Sequence, residues 1–503
     1  MGAKVFFLVV GFIQQPLIRL AVGLNDFGAL AQAFALANTV NNVVVSGGTQ
    51  GVSRVVAGAR GHEDEALRAA LRVHVPLAVI VAALMAAAAP LYAGFERAED
   101  VIAPLLILAA VALFYGLYAP LIGCLNGRQR FGRQAALDVT FATARTLGLV
   151  GVGYSFVKHG ASGVLGTTVG WVAAAAFIVP LAAHSTGLGK PLPRGQPRPA
   201  EVPSARKYLA ILGPIAGAQL CTNLLMQIDI ALLGRFLSER AVLSAYLTPD
   251  AQREAAKQWL AIYKECQTFA FLPYQLLFSI TLVLFPLLAR AHAEDDQRAV
   301  RIYVARGARL AAIFVGLLVS AVVAMPDSML SLAYGARDAA LGADVLRIMA
   351  LSQAAFAMLG VATTVLTSLG REKTAALITL AAVIAVAAAC TALVPGAELG
   401  RTQLVRSTQA SGGALVATLI VAAAVVRAKT GAFVPAATVL RTATALGACF
   451  ALGFFTPHVG RLVTPLLALA VGAVYVALLA ITGEVGASDL SAIRALVLRK
   501  RTR

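Results

Sequence analysis

Residues 75–95 read VPLAVIVAALMAAAAPLYAGF, twenty-one positions without a charged side chain. The hydrocarbon core of a bilayer takes about 20 apolar residues of helix, so this stretch can cross a membrane once. Runs of the same kind, punctuated by Gly, Pro and charge, recur along the chain. Their centres lie near Gln15, Asn41, Ala82, Val111, Gly148, Val172, Gln219, Leu276, Leu317, Leu359, Ile384, Leu419, Leu446 and Val471. About fourteen such helices account for most of the 503 residues and leave no room for a separate soluble domain. The expected fold class is an all-α integral membrane protein. The first run, Val5 to Leu24, lacks a convincing cleavage site and reads as an uncleaved first span. The second is rich in Asn, Ser and Gly (Asn38, Asn41, Asn42, Ser46, Gly47, Gly48), which predicts a bend or break facing protein or water.

Composition agrees. Hydrophobic residues make up 59% of the chain, charged ones 13%, and the mean hydropathy is +0.80. A soluble domain of this size needs far more polar surface. That excludes an ordinary cytosolic enzyme, a disulfide scaffold and a disordered chain. The net charge of +18 would suggest nucleic acid in a soluble protein. In a membrane protein it belongs to the positive-inside rule. With the N-terminus inside, alternate loops and the C-terminal tail carry about 28 Lys and Arg, and the opposite loops about 10. The bias predicts an even span count with both termini cytoplasmic. Twelve spans satisfy it as well as fourteen.

The chain also repeats itself. Gly127-Arg-Gln-Arg-Phe-Gly-Arg-Gln-Ala-Ala-Leu137 follows the fourth span, and Gly370-Arg-Glu-Lys-Thr-Ala-Ala-Leu377 follows the tenth. Ala161-Ser-Gly-Val opens the sixth, and Ala410-Ser-Gly-Gly-Ala the twelfth. Arg54 with Glu63-Asp-Glu is matched by Arg290 with Glu294-Asp-Asp. The offsets are all about 230–250 residues, near half the chain. This predicts two parallel six-helix lobes around a central cavity, plus two C-terminal helices. The expected boundaries are 1–186 for the first lobe, 187–204 for a cytoplasmic linker and 205–430 for the second lobe. The last two helices then take 431–483, and a basic cytoplasmic tail 484–503.

Ionisable side chains inside a membrane are costly and so are candidates for function. Here they are Arg19, Asp26, Asp138, Arg145, Asp229, Lys264, Glu265 and Arg347. Polar partners on the same spans are Asn38, Asn41 and Asn42, then Gln219, Asn223 and Gln227, then Gln267. Positions 219, 223 and 227 share one helix face. A cavity lined this way is polar and partly cationic, suited to an amphiphile carrying a phosphate or pyrophosphate, since Arg grips phosphate oxygens bidentately. Each candidate also has a structural reading. Asp26 and Lys264 can be interfacial, Asp138 and Arg145 an interhelical contact, Arg19 and Asp229 members of ion pairs, and the Gln/Asn face interhelical hydrogen bonding. Asp229 or Glu265 is a candidate for coupling to H+ or Na+. No P-loop, G-x-S-x-G, H-E-x-x-H or C-x-x-C occurs. The five cysteines and six histidines show no metal spacing, so no enzyme, metal or cofactor is expected.

These residues resemble a known family. Arg19-Leu…Leu24-Asn-Asp-Phe-Gly-Ala-Leu-Ala is similar to the first-to-second-span signature of polysaccharide biosynthesis flippases, members of the multidrug/oligosaccharidyl-lipid/polysaccharide (MOP) exporter superfamily. Met226-Gln-Ile-Asp-Ile-Ala-Leu-Leu-Gly234 resembles its seventh span, and Leu284-Phe-Pro-Leu-Leu-Ala-Arg290 the end of its eighth. The Gly-Arg loops and Ser411-Gly-Gly-Ala-Leu-Val-Ala-Thr also fit. The resemblance runs over about residues 15–430. It implies a two-lobed V-shaped transporter in the bacterial inner membrane that flips an undecaprenyl-pyrophosphate-linked O-antigen, capsule or exopolysaccharide repeat unit by alternating access. Arg19, Asn38, Asn41, Asn42, Asn223, Asp229, Gln267 and Arg347 would line its substrate path. Membrane lipids and a glycan polymerase would be its partners, with no nucleic acid. Lipid II flipping and drug/cation antiport are the alternatives. Lipid II flippases carry cavity arginines where this chain has Asn41 and Asn42.

Overall fold

The computed structural model describes residues 2–59, 61–188, 202–243, 248–455, 460 and 463–486. Most of the 187–204 linker and of the 484–503 tail therefore lies outside the described residues, as do the loop cations Arg60, Lys190, Arg194, Arg198 and Arg461. Among the described residues every regular element is helical, as hydrocarbon demands of a chain with no water to satisfy its backbone. The α-helices are α1 (Gly2–Val22), α2 (Leu24–Gly58), α3 (Glu63–Glu96), α4 (Ile102–Gly127), α5 (Phe131–Leu147), α6 (Gly153–Lys158), α7 (Gly163–Thr186), α8 (Ala205–Val242) and α9 (Pro249–Ala270). They continue as α10 (Leu272–Ala293), α11 (Gln297–Ala324), α12 (Pro326–Ala333), α13 (Ala336–Ser368), α14 (Glu372–Leu393), α15 (Arg401–Thr430), α16 (Ala436–Gly453) and α17 (Thr464–Ile481).

All fourteen expected centres fall on helical segments, Gly148 on the π turn Gly148–Val152 that joins α5 to α6. Among the described residues, eleven helical segments are long and apolar enough to cross a membrane, and Val9–Val22 is a shorter apolar one. The second span is not broken: α2 runs as one helix from Leu24 to Gly58. Its small and polar residues serve close packing instead. Gly48 lies against His74 of α3 and Ala119 of α4, and Gly51 against Tyr208 and Leu212 of α8.

The chain divides into two compact units, Met1–Lys264 with Cys390–Gln403, and Glu265–Ala389 with Leu404–Arg503. In the first, α2 packs on α4 and α8, α3 on α4, α4 on α7, and α1 on α5. Its core is aromatic at one level. Trp171 Nε1 donates to Tyr115 Oη at 2.8 Å, Phe34 meets Trp171 edge-on at 5.0 Å, and Phe141 meets Tyr115 at 5.5 Å. Each such ring pair adds about 0.5–1.5 kcal/mol beyond its buried area. The π turn is held by a backbone approach. A Cβ on Gly170 of α7 would run into the Gly148 carbonyl, and one on Gly148 into that of Gly170.

In the second unit α11 packs on α10, α13, α16 and α17. Beyond α17, Glu484 folds back and is only 2% exposed. Thr438 Oγ1 donates to it at 2.6 Å, Arg309 Nε at 2.8 Å and an Arg441 guanidinium nitrogen at 2.9 Å, while Arg309 also donates to its backbone carbonyl. Burial pushes the Glu484 carboxyl up, but these hydrogen bonds together outweigh it and hold it below the ordinary carboxylate range. A depressed carboxyl stabilises fully above its ordinary value of about 4.5 and loses that contribution as pH falls through its lower folded value. Glu484→Ala is therefore expected to cost about 1.5 kcal/mol at neutral pH, because the two arginine partners are 28% and 37% exposed and are partly rehydrated when the carboxylate is lost. The gap in melting temperature between parent and variant should close in acid. A gap independent of pH would show that the carboxylate charge contributes nothing.

The internal repeat is visible in the backbone. After α4, the Arg130 N–H returns to the Leu125 carbonyl at 2.8 Å, with Gln129 at φ 56°. After α13, the Arg371 N–H returns to the Leu366 carbonyl at 2.9 Å, with Gly370 at φ 69°. The two Gly-Arg loops thus close their helices with the same six-residue, left-handed cap.

Candidate substrate site

The polar faces of α2 and α8 meet within the first unit. Asn42 Nδ2 donates to Asn223 Oδ1 at 2.9 Å, and Asn223 Nδ2 donates to the Gln219 carbonyl one turn back at 2.8 Å. Asn41 is buried, and neither amide atom has a hydrogen-bond partner. An amide buried in this way costs free energy until something bonds it. Asn38, half-buried, stands one turn before Asn41 and Asn42. A double-mutant cycle on Asn42→Ala and Asn223→Ala should give a coupling near 0.6 kcal/mol, the usual worth of an interhelical hydrogen bond in a membrane. Additive effects on unfolding would show the contact to be idle.

Asp229, deeper along α8, is buried and engaged. Its Oδ2 accepts from Tyr263 Oη at 2.7 Å, its Oδ1 from the Ile230 N–H at 2.8 Å, and Lys264 acts on it electrostatically. Asp229, Tyr263 and Lys264 thus tie α8 to α9. Arg19, half-buried, lies in the last turn of α1. Asp26 opens α2 and accepts from the backbone of Gly163 and Val164, capping α7. Arg145 donates Nε to Gln14 Oε1 at 3.3 Å and lies 5.8 Å from the Trp171 ring, an interhelical contact of α5 with α1 and α7. Asp138, half-buried on α5, acts electrostatically on Tyr118 of α4.

In the second unit, Glu265 and Gln267 are buried on the end of α9. Between them Cys266 Sγ donates to the Gly342 carbonyl of α13 at 3.3 Å. Arg347 of α13 donates Nε to the Val323 carbonyl at 3.0 Å, and its guanidinium lies 5.2 Å and 5.9 Å from the Phe450 and Phe454 rings. It is held there by α11 and α16 rather than presented bare.

Two features were not anticipated from the sequence. His74 and Tyr208, both buried, share a 2.5 Å hydrogen bond between α3 and α8. Glu96, at the end of α3, is fully buried and receives Gln32 Nε2 at 3.4 Å. In the sequence Glu96 opens the run Glu96-Arg-Ala-Glu-Asp and reads as a loop charge. The 34-residue length of α3 is the signal that carries it inside.

The family model described as "Polysaccharide biosynthesis protein" matches residues 2–292, and a second, MatE, matches 254–392. No curated protein matches. Among solved structures, the lipid II flippase MurJ in an inward closed conformation is similar at a TM-score of 0.72 and 12% identity, covering 95% of this chain and 97% of that one. An inward-facing multidrug resistance MATE family transporter of the MOP superfamily gives 0.64 and 13%, over 84% and 94%. A MOP superfamily transporter from Pyrococcus furiosus, described as having a binding pocket of reversed polarity, gives 0.58 and 14%, over 85% and 96%. At these identities the structures establish the fold, and the family model establishes the kinship. The chain is a multi-pass membrane protein that belongs to the polysaccharide biosynthesis protein family and shares the fold of the flippase and transporter structures it resembles.

Proposed function

We propose that the protein flips an undecaprenyl-pyrophosphate-linked oligosaccharide, the repeat unit of an O-antigen, capsule or exopolysaccharide, across the bacterial inner membrane by alternating access. The observation that carries this reading is the Asn42–Asn223 contact of α2 with α8, beside which the neighbouring Asn41 amide is buried without a hydrogen-bond partner. A surface of neutral donors and acceptors fits sugar hydroxyls. Arg19 is assigned to the pyrophosphate, which it can grip with two parallel N–H bonds. The polyprenyl tail stays in the lipid. Both termini are placed in the cytoplasm by the loop charges. Drive comes from an ion gradient, with Asp229 or Glu265 as coupling carboxyls, and a glycan polymerase takes the product.

The test is reconstitution into liposomes with three fluorescent substrates: a lipid-linked oligosaccharide, lipid II and a lipophilic drug cation. The reading expects protein-dependent flipping of the first and little movement of the others. Preferred flipping of lipid II, or transport of the cation alone, would overturn it. The Asn residues at 41 and 42, where lipid II flippases carry arginines, favour the first outcome.

A further inference from the structure

At one end of the first unit, the end assigned to the outside by the loop charges, lies a cavity of about 580 Å³. Gln32 of α2, Arg97 and Asp100 after α3, Ser238 of α8, and Arg253 and Lys257 of α9 line it. Lys257 pairs with Asp100 at 2.5 Å, and Arg97 with Glu239 at 3.4 Å, so two cations of the exposed rim are matched by carboxylates. Gln32 forms part of the wall, and behind it sits Glu96, fully buried between α2 and α8. Glu96 Oε2 receives the long bond from Gln32, and the Tyr92 hydroxyl, which donates to the Gln32 backbone carbonyl at 3.2 Å, also interacts with the carboxyl, whereas Glu96 Oε1 and Gln32 Oε1 have no hydrogen-bond partner. Gly234 of α8 faces the carboxyl, where a Cβ would collide with Oε2.

We propose that Glu96 is a proton-binding site reached through this cavity, passing between carboxylate and neutral acid during the transport cycle. A buried carboxylate with an unpartnered oxygen is costly. One proton removes the charge and creates an O–H donor, and the idle Gln32 oxygen becomes its acceptor once the amide turns over, an orientation that heavy-atom positions alone do not distinguish. No bond other than O–H forms or breaks, and no electrons move. A metal cation fits less well, because the unpartnered oxygens here number two and such ions take about six. The charged and titratable groups that act on Glu96 are Tyr92 on α3 and Arg235 on α8; Glu239 of α8 pairs with Arg235 and Arg97, and Arg97, Asp100, Arg253 and Lys257 line the cavity itself. From α2, Asp26 interacts with Lys257 and Asp100 electrostatically.

The role in the cycle rests on the transporter reading, whereas proton binding can be measured without any transport. Purified protein in lipid is followed by infrared spectroscopy from mildly acidic to alkaline pH. The parent should show a protonated-carboxyl band that titrates away, Glu96→Gln should lack that component, and Gln32→Leu should keep it with a shifted midpoint. In flipping assays Glu96→Gln should flatten the pH dependence of the rate. If Glu96→Gln does not fold, Glu96→Asp and Gln32→Leu carry the test, each expected to move the band. A titrating band that none of these substitutions alters would overturn the proposal. So would a band that appears only when sodium is withdrawn, which would make the site a sodium site. Failure of flipping with an intact Glu96 band would count against the transport reading alone.

Discussion

Arg19→Ala is expected to slow flipping of a pyrophosphate-linked substrate by about 100-fold, with folding intact. Hydrogen bonds to charged groups contribute about 1.5–3 kcal/mol each. A bidentate grip on phosphate loses two of them, and the low end of that sum, about 3 kcal/mol, is a factor of a little over 100. Folding should survive because Arg19 lies in the last turn of α1, half-buried, with Ile18 rather than Arg19 making the fully buried contact. Arg19→Lys keeps the charge and loses the fork, so it should fall between parent and alanine. The measurement is initial flipping rate in liposomes at matched protein density. A normal rate for Arg19→Ala would remove this residue from the substrate path. Equal losses for a substrate lacking phosphate would show that its role is structural.

The largest expected effect on stability is at Gly170. A valine there places a branched Cβ against the Gly148 carbonyl, and backbone has nowhere to go without parting α7 from the π turn. Overpacking of this kind costs about 1–3 kcal/mol, occasionally more. Here it also disturbs Trp171, the next residue, whose ring bonds Tyr115 and packs on Phe34. Gly170→Val should therefore lower the melting temperature in detergent markedly and yield aggregated protein. Gly151→Val, at a glycine of the same turn with open space around it, is the control and should be mild. Equal melting of both variants would show that the close approach is dispensable.

Much of the fold was legible because its determinants are local. A run of apolar residues declares a membrane helix wherever it occurs, whereas the matching caps are not read from glycine alone, since Gln129 takes the left-handed position in the first loop and Gly370 in the second. The candidate site was legible only where spacing on one helix decides the matter. The 219, 223, 227 spacing does put Asn223 on a polar face, and Asn42 meets it. What spacing does not encode is the partner from another helix. Arg347 reads as an open cation until Val323 and the rings of Phe450 and Phe454 close on it. Asp26 reads as an intramembrane or interfacial carboxyl until the start of α7 is seen to bond it. Glu96 was hidden for the opposite reason, since its sequence neighbours are those of a surface turn while its side chain is buried by Gln32 and Gly234.

Helix α2 also bears on how the protein is made. It is unbroken over 35 residues, yet it is not among the helices apolar enough to cross a membrane by themselves. A nascent segment of this kind, leaving the ribosome alone, would partition poorly from the translocon into lipid. Its stable position depends on α4 and α8, which are synthesised later and cover its polar stripe. Insertion of α2 is then expected to be completed only as those helices emerge, with the polar residues proposed to receive the sugar weakening its partition into lipid alone.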